Sequence, residues 1–598
     1  MRRLLPALLL VAAPAIAQQS ADAVDPEAGA GAETGTAAFE GLPQRVQDAL
    51  AAKAEGRPTQ AQDWMVAAAN PLAAEAGAKI LEQGGSAADA MVAVQTVLGL
   101  VEPQSSGLGG GAFLVWYDAA TKELTTLDGR ETAPLAATPE LFLDDAGEPL
   151  KFFDAVVGGL SVGTPGTPAL MQMAHDKWGK LDWAPLLSEA TALARDGFAV
   201  SPRLASLVAE DTDYLSRFPA TADYFLPGGT PVAAGDMLTN PAYADTLDAI
   251  AQGGAEVFYT GEIAQGIVDT VTGAEGNPGV LSMTDLAIYA PKERPAVCAA
   301  YRGRDVCGMG PPSSGALTVG QILGMLESTG IADLAPDDPQ ALRLLGDASR
   351  LAFADRGIYM ADSDYVPMPT DGLVAPGYLQ SRATLLEGDT ALEQVEAGSP
   401  EWSHAMDLAP DMSLELPSTS HISIVDAEGN VLSMTTTIEN GFGSRLMAPG
   451  GFLLNNELTD FSFATQQDGT PIANRVEPGK RPRSSMSPTI VMQDGAPVLA
   501  IGSPGGSRII GYVAQAILNY VDFGMDVQQA VAAPHAVNRF GTYDLEQGTP
   551  MADLAGPLGE IGYETEVREL TSGLHAIAIG DTLQGGADPR REGIALGQ

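Results

Sequence analysis

Cysteine is nearly absent from this chain: Cys298 and Cys307 are its two. No C-x-x-C pair occurs, and the five histidines (175, 404, 421, 535 and 575) are scattered without an H-E-x-x-H spacing, so neither a disulfide framework nor a zinc site is indicated. No cofactor is implied. Basic residues are also scarce, with 32 Lys and Arg against 76 Asp and Glu and a formal charge of −44. Such a surface repels phosphate backbones and anionic lipid, which excludes nucleic acid and a charged membrane face as partners. The acidity reads as a solubility device. Beyond the first 17 residues no apolar run approaches the length of about 18 residues that a membrane span needs. Internal repeats and linker-like stretches are missing from the interior as well, so residues 46–598 read as one compact unit with many glycine turns.

What is present begins at the N-terminus. Met1-Arg2-Arg3, an apolar run from Leu4 and the ending Ala15-Ile16-Ala17 have the three parts of a secretory signal peptide, residues 1–17. A periplasmic or secreted protein of bacterial type is expected. Residues 18–45, rich in Ala, Gly, Glu and Asp without apolar periodicity, read as a disordered acidic tether. In an exported protein the two cysteines oxidise. If Arg302-Gly303 is a two-residue hairpin turn, Tyr301 pairs with Arg304, Ala300 with Asp305 and Ala299 with Val306, which sets Cys298 opposite Cys307 at a position where side chains are closest.

Along the body, Met65 to Ala69 reads as a strand and Asn70-Pro71 as the cap and first residue of a helix ending near Gly84-Gly85. Ser86 with Asp89 caps a second helix to about Val101. Gly107 to Ala112 superficially fits a dinucleotide fingerprint, but here glycines precede a strand rather than follow one, so a nucleotide site is rejected. Gly159-Leu160-Ser161-Val162-Gly163 matches a nucleophile elbow, yet Pro165 and Pro168 fall where its helix would start, and a glycine-rich loop is the better reading. Residues 170–400 read as mostly helical scaffold.

The pattern changes at Ser418-Thr419-Ser420-His421-Ile422-Ser423-Ile424-Val425. Scission before Thr419 gives that threonine a free α-amine beside its own hydroxyl, nucleophile and base in one residue. Asp426 to Asn430 supplies a five-residue loop and Val431 to Ile438 a second strand. In that register residue 425 pairs with 431 and Thr419 faces Thr437, a second hydroxyl beside the first. Further on, a hairpin across Gln493-Asp494-Gly495-Ala496 ends in Gly502-Ser503-Pro504-Gly505-Gly506-Ser507-Arg508 before an apolar helix. Glycines at a strand end expose backbone N–H groups suited to a developing oxyanion.

These residues resemble the γ-glutamyltranspeptidase (glutathione hydrolase) family of N-terminal nucleophile hydrolases. The resemblance runs from about Met65 to the end and is carried by Leu108-Gly109-Gly110-Gly111, Gly129-Arg130-Glu131-Thr132-Ala133-Pro134, Thr419-Ser420-His421, Leu454-Asn455-Asn456-Glu457-Leu458-Thr459-Asp460-Phe461, Arg483-Ser484-Ser485-Met486-Ser487-Pro488-Thr489 and the glycine loop from Gly502 to Arg508. It implies an α/β (α+β) fold, a four-layer αββα sandwich self-cleaved between Ser418 and Thr419 into two intertwined subunits, a large one of 46–418 behind the tether and a small catalytic one of 419–598. It implies Thr419 as nucleophile, Thr437 as its hydrogen-bonding neighbour, and Gly505 and Gly506 as oxyanion donors. Arg130, with Ser484 and Ser485, is expected to clamp the substrate α-carboxylate, since a guanidinium fork reads a carboxylate bidentately, while Glu457 and Asp460 hold the α-ammonium. The expected reaction passes a γ-glutamyl group, from glutathione first of all, to water or an acceptor amino acid.

Two departures bear on substrate choice: Glu439 stands where the family often has Asn, and the stretch from Asp460 to Ser484 is short for a lid. Glu439 is expected either to strengthen ammonium binding or to mark an enzyme for other acyl groups. The rival readings are a glutaryl-type β-lactam acylase of the same family and, from another class, an unprocessed amino-acid-binding pseudoenzyme.

Overall fold

The computed structural model describes residues 36–403, 406–411, 413–416 and 418–598. The signal peptide and the tether up to residue 35 lie outside the described residues. The tether's last ten residues differ from expectation: Thr36–Phe39 form a 3-10 turn, Phe39 is buried, and helix α1 (Gln44–Ala54) starts inside the stretch.

Two seven-stranded sheets form the centre, every pairing in them antiparallel. In the first, the spatial order is β14 (Ile594–Gly597), β2 (Met65–Ala68), β8 (Ser420–Val425), β9 (Val431–Thr437), β3 (Gly111–Tyr117), β4 (Leu124–Gly129) and β5 (Lys292–Arg294). In the second it is β1 (Thr59–Ala61), β13 (Leu583–Ala587), β12 (His575–Ile579), β11 (Ala496–Gly502), β10 (Thr489–Gln493), β7 (Arg304–Gly308) and β6 (Val297–Tyr301).

Alternation along the strands builds the layers. In β2, Val66 and Ala68 join a core with helices α2 (Pro71–Glu82) and α3 (Ala87–Val101), while Met65 and Ala67 face the other sheet. In β11, Leu499 and Ile501 pack against α4 (Gly315–Leu326) and α6 (Ile509–Val521), while Ala500 points between the sheets. The result is the αββα sandwich expected from the resemblance. Helix α3 is buried over its whole length, as a helix apolar on all sides must be, and α2 approaches it so closely at Gly77 that a Cβ there would lie 2.6 Å from Val94 Cγ2. Both caps form as read: Asn70 Oδ1 accepts from Leu72 N at 2.9 Å, and Ser86 with Asp89 makes a capping box.

Both sheets contain strands from either side of residue 419, so a cut there leaves each piece holding the other through backbone ladders. The mostly helical reading of 170–400 overlooked β5, a short charged edge strand on β4 without hydrophobic alternation. Ser161 is a loop residue: its buried hydroxyl donates to Val156 O at 2.7 Å.

The cysteine hairpin has the register read from sequence, Tyr301↔Arg304 through Cys298↔Cys307, with Arg302 and Gly303 both at positive φ, and the Cys298–Cys307 disulfide closes it. Replacing both cysteines by serine should lower unfolding free energy by about 2 kcal/mol, the low side for so short a loop. Chemical denaturation of oxidised wild type and the double variant measures this.

Candidate active site

The hairpin β8–β9 sets the centre of the site. Its register, Ser420↔Thr436 to Val425↔Val431, carried one residue outward brings Thr419 opposite Thr437, and the Thr419 hydroxyl donates to Thr437 Oγ1 at 3.2 Å. Thr437 Oγ1 also accepts the Glu439 N–H at 2.9 Å, which fixes where its lone pairs point. Both sides of the Ser418–Thr419 bond are pinned: Ser418 Oγ donates to Gln104 O at 2.8 Å, and Arg591 Nη1 donates to Thr419 O at 3.2 Å. Thr419 sits at φ 143°, a region a β-branched residue adopts only at a cost in strain, here located at the bond expected from the sequence to be cut.

Next to it β11 ends at Gly502, where a Cβ would lie 2.3 Å from His421 Nδ1, and the chain turns through Gly505 (φ 134°) and Gly506 (φ 58°) into α6. Glycine adopts these positive φ values without the steric cost a Cβ would bring. Gly506 lines the same cavity as Thr419. Gly505 does not; it packs beneath, where a Cβ would lie 2.7 Å from the Tyr512 ring. Over Gly506 lie the carbonyls of Glu415 and Leu416, 2.8 and 2.7 Å from where its Cβ would be.

Arg130 follows β4, its N–H held by Asp128 Oδ1 at 2.9 Å. Its buried guanidinium donates to the carboxylates of Glu457 and Asp460, to Arg483 O at 2.8 Å and to Pro482 O at 3.2 Å. Glu457 and Asp460 share one 3-10 turn, which places both on the arginine. Glu439, at φ 75°, accepts from Asn456 Nδ2 and from Leu416 N at 3.2 Å. Burial pushes Glu439, Glu457 and Asp460 well above the usual carboxyl range, and pushes neighbouring Glu131 up to about 8. One guanidinium therefore serves several buried carboxyls, all shifted upward by their burial.

Ser484 and Ser485 line the same cavity as Arg130, and in the uncut chain their hydroxyls are engaged within the protein. Ser484 Oγ accepts Met486 N at 3.1 Å, and Ser485 Oγ accepts from Arg356 Nη2 at 2.8 Å while donating to Glu415. Arg130 itself meets Glu457 and Asp460, while Ser485 lies between Arg356 and Glu415. Arg356, Arg483 and Glu415 went unread in the sequence. Arg483 opens a motif already singled out, though no role was read for it, and Arg356 ends the buried face of helix α5 (Pro339–Tyr359), where an arginine among apolar residues is itself a signal.

The cavity between Arg130, Thr419, Thr437, Glu439 and Gly506 measures about 20 Å³, room for a water and not for an acyl group, because Glu415 and Leu416 fill the rest. Beneath the nucleophile's strand, Ser420 Oγ donates to Glu102 Oε2 at 3.2 Å, and burial pushes Glu102 up to about 7.

A threonine at the end of a strand between two stacked antiparallel sheets, with helices on both outer faces, defines an N-terminal nucleophile hydrolase. Within that class the chain belongs to the γ-glutamyltranspeptidase family, whose model matches residues 73–598. It is 38% identical over 549 residues to a glutathione hydrolase proenzyme of Bacillus subtilis (strain 168), covering 90% of this chain and 92% of that protein. It is 33% identical over 550 residues to the Acylase ACY 1 proenzyme of Pseudomonas sp. (strain SE83), covering 91% and 95%. The cephalosporin acylase structure from Bacillus halodurans superposes with a TM-score of 0.80 at 26% identity, covering 91% of this chain and 97% of that one.

Glu102 gives a testable pH dependence. Its carboxyl is raised on folding, so the stability it contributes is full below about pH 4.5 and is lost as pH rises through about 7. Glu102→Gln should remove that loss, and its stability relative to wild type should improve by roughly 3 kcal/mol between about pH 4 and pH 8. Denaturant titrations at the two pH values measure it, and a pH-independent difference would show that folding does not raise the Glu102 carboxyl.

Proposed function

We propose that this chain is the precursor of a γ-glutamyl-transferring hydrolase in which Thr419 first cuts its own chain and then carries the acyl group. The observation that carries the reading is the 3.2 Å contact between the hydroxyls of Thr419 and Thr437 at a strained junction held at both ends. In maturation Thr419 Oγ1 attacks the Ser418 carbonyl carbon, the peptide C–N bond breaks, and the nitrogen takes the hydroxyl proton. Water then hydrolyses the Ser418 ester, leaving a new carboxylate and the free α-amine of Thr419.

In turnover that amine accepts the Thr419 proton as Oγ1 attacks a γ-glutamyl carbonyl. The glycine loop supports oxyanion stabilisation by the N–H groups of Gly505 and Gly506. The leaving amine departs with the proton, and water or an acceptor amino acid takes the acyl group from the ester. Arg130 with Glu457 and Asp460 suits a zwitterion: a substrate carboxylate exchanges onto the guanidinium, and an ammonium takes over the acids. Glutathione is the donor favoured, as the glutathione hydrolase relatives also suggest. An acylase reading is favoured by the similarity to Acylase ACY 1 and the cephalosporin acylase, but two acids beside the arginine are not needed by a glutaryl group without an ammonium. The signal-peptide pattern supports export to the periplasm or medium, and among the described residues no helix is long and apolar enough to cross a membrane.

Thr419→Ala should give one uncut, inactive band on a denaturing gel, whereas wild type gives a fragment beginning Thr-Ser-His-Ile; two normal subunits from the variant would sink the self-cleavage scheme. Arg130→Lys keeps a cation for Glu457 and Asp460 but loses the fork, so KM for γ-glutamyl anilide should rise at least about tenfold with cutting intact. Faster turnover of glutaryl than of γ-glutamyl anilide by wild type would move the enzyme to the acylase reading.

A further inference from the structure

Helix α1 stands ahead of the residues that match the family model, which begin at residue 73. Its Val46, Ala49 and Ala52 are buried against the body, and Lys53 continues that stripe two turns after Val46. A stripe of this kind ordinarily carries apolar side chains. Lys53 instead brings an ammonium into partly buried surroundings, where burial pushes it down to about 8 although Asp588 and Glu592 act to raise it. Helix packing alone does not account for a cation placed at such a cost.

The hydrogen bonds it makes do. Lys53 Nζ donates to Arg591 O at 2.6 Å and to Gly593 O at 2.7 Å, the carbonyls of the short loop that leads into β14. From that loop the buried Arg591 guanidinium fans out, with Nε on Ser572 O at 3.1 Å, Nη2 on Thr571 O at 3.2 Å and Nη1 on Thr419 O at 3.2 Å. Its stem packs on Gly573, where a Cβ would lie 2.7 Å from Arg591 Cδ and from Pro504 Cγ of the glycine loop. The far side of the loop is walled: a Cβ on Gly593 would lie 2.0 Å from His575 Nε2 and 2.6 Å from Ala68 O. Packing thus bounds the loop on one side and the ammonium holds it on the other. At 3.2 Å the bond to Thr419 O has little slack, since a contact beyond about 3.5 Å is no longer a hydrogen bond.

We propose that Lys53 is a positioning residue for self-cleavage: by holding the carbonyls of Arg591 and Gly593 it sets the Arg591 guanidinium on the Thr419 carbonyl, and with it the strained backbone at the Ser418–Thr419 bond. Lys53 touches no reacting atom and acts through Arg591. The inference rests on the self-cleavage reading and adds a condition to it, that α1 docks before the bond is cut. A nucleophile displaced by about 1 Å from its carbonyl can lose of order 100-fold in rate, which is the scale on which a loosened loop acts.

Cell-free synthesis of the full chain, with the fragment beginning Thr-Ser-His-Ile followed over time on denaturing gels, tests this. Lys53→Met keeps the stem and removes the ammonium, and should slow scission at least about tenfold. Lys53→Arg restores charged donors to the two carbonyls and should cut within about threefold of wild type. Val46→Ala loosens the same helix without touching the ammonium, and should also stay within about threefold. A wild-type rate from Lys53→Met, equal slowing by Lys53→Met and Val46→Ala, or a Lys53→Arg chain no faster than Lys53→Met each overturns the assignment. Should Lys53→Met fail to fold, as judged by denaturation in the Thr419→Ala background, Lys53→Gln against Lys53→Arg decides by the same readout, and equal rates overturn it. Wild type that yields no such fragment overturns the self-cleavage reading and the inference together, whereas equal cutting by wild type and Lys53→Met removes the inference alone.

Discussion

The antiparallel register between Ser420–Val425 and Val431–Thr437 is the constraint on which the rest depends. Side chains alternate with a period of two, so one residue of slippage would send Thr419 and Thr437 to the helix-facing side and bring Ile422 and Met434 between the sheets. The register is secured from both flanks, by β2 on one side and β3 on the other, and by the apolar residues those strands bury against α2 and α3. Hydrophobic packing far from the chemistry thus sets the distance between two hydroxyls.

Around that pair the electrostatics are those of a dry site. Several carboxyls surround Arg130, and burial raises the pKa of each. Glu415 is the contrast: burial also acts to raise it, but Arg356 and Arg483 outweigh that and hold it at about 2. Neighbouring buried carboxyls are therefore shifted in opposite directions, according to how many guanidinium groups each touches. The geometry points to an ordered ionic exchange, in which the precursor's internal ion pairs stand where those to an incoming zwitterion are proposed.

Much of this was legible in the sequence because it rests on local rules. The Asn70-Pro71 and Ser86–Asp89 starts, the Arg302-Gly303 turn with its cysteine pair, and the five-residue loop that puts residue 425 opposite 431 all follow from spacing within a few residues. What escaped was non-local. Lys292–Arg294 pairs at a sheet edge through backbone alone, and Arg356 meets Glu415 and Ser485 from three distant parts of the chain. The motifs placed Arg130, Ser484 and Ser485 in one site, whose cavity all three line, without showing which carboxylate each cation meets.

The interleaving of strands from both sides of residue 419 has a temporal consequence. Neither half owns a complete sheet, so neither has a stable form to which an uncut partner could be added later, and assembly must precede chemistry. The nucleophile is then created only inside a molecule that has already folded correctly. Misassembled chains carry a threonine buried in an ordinary peptide and remain harmless to the acyl compounds around them, which makes the architecture its own licensing step.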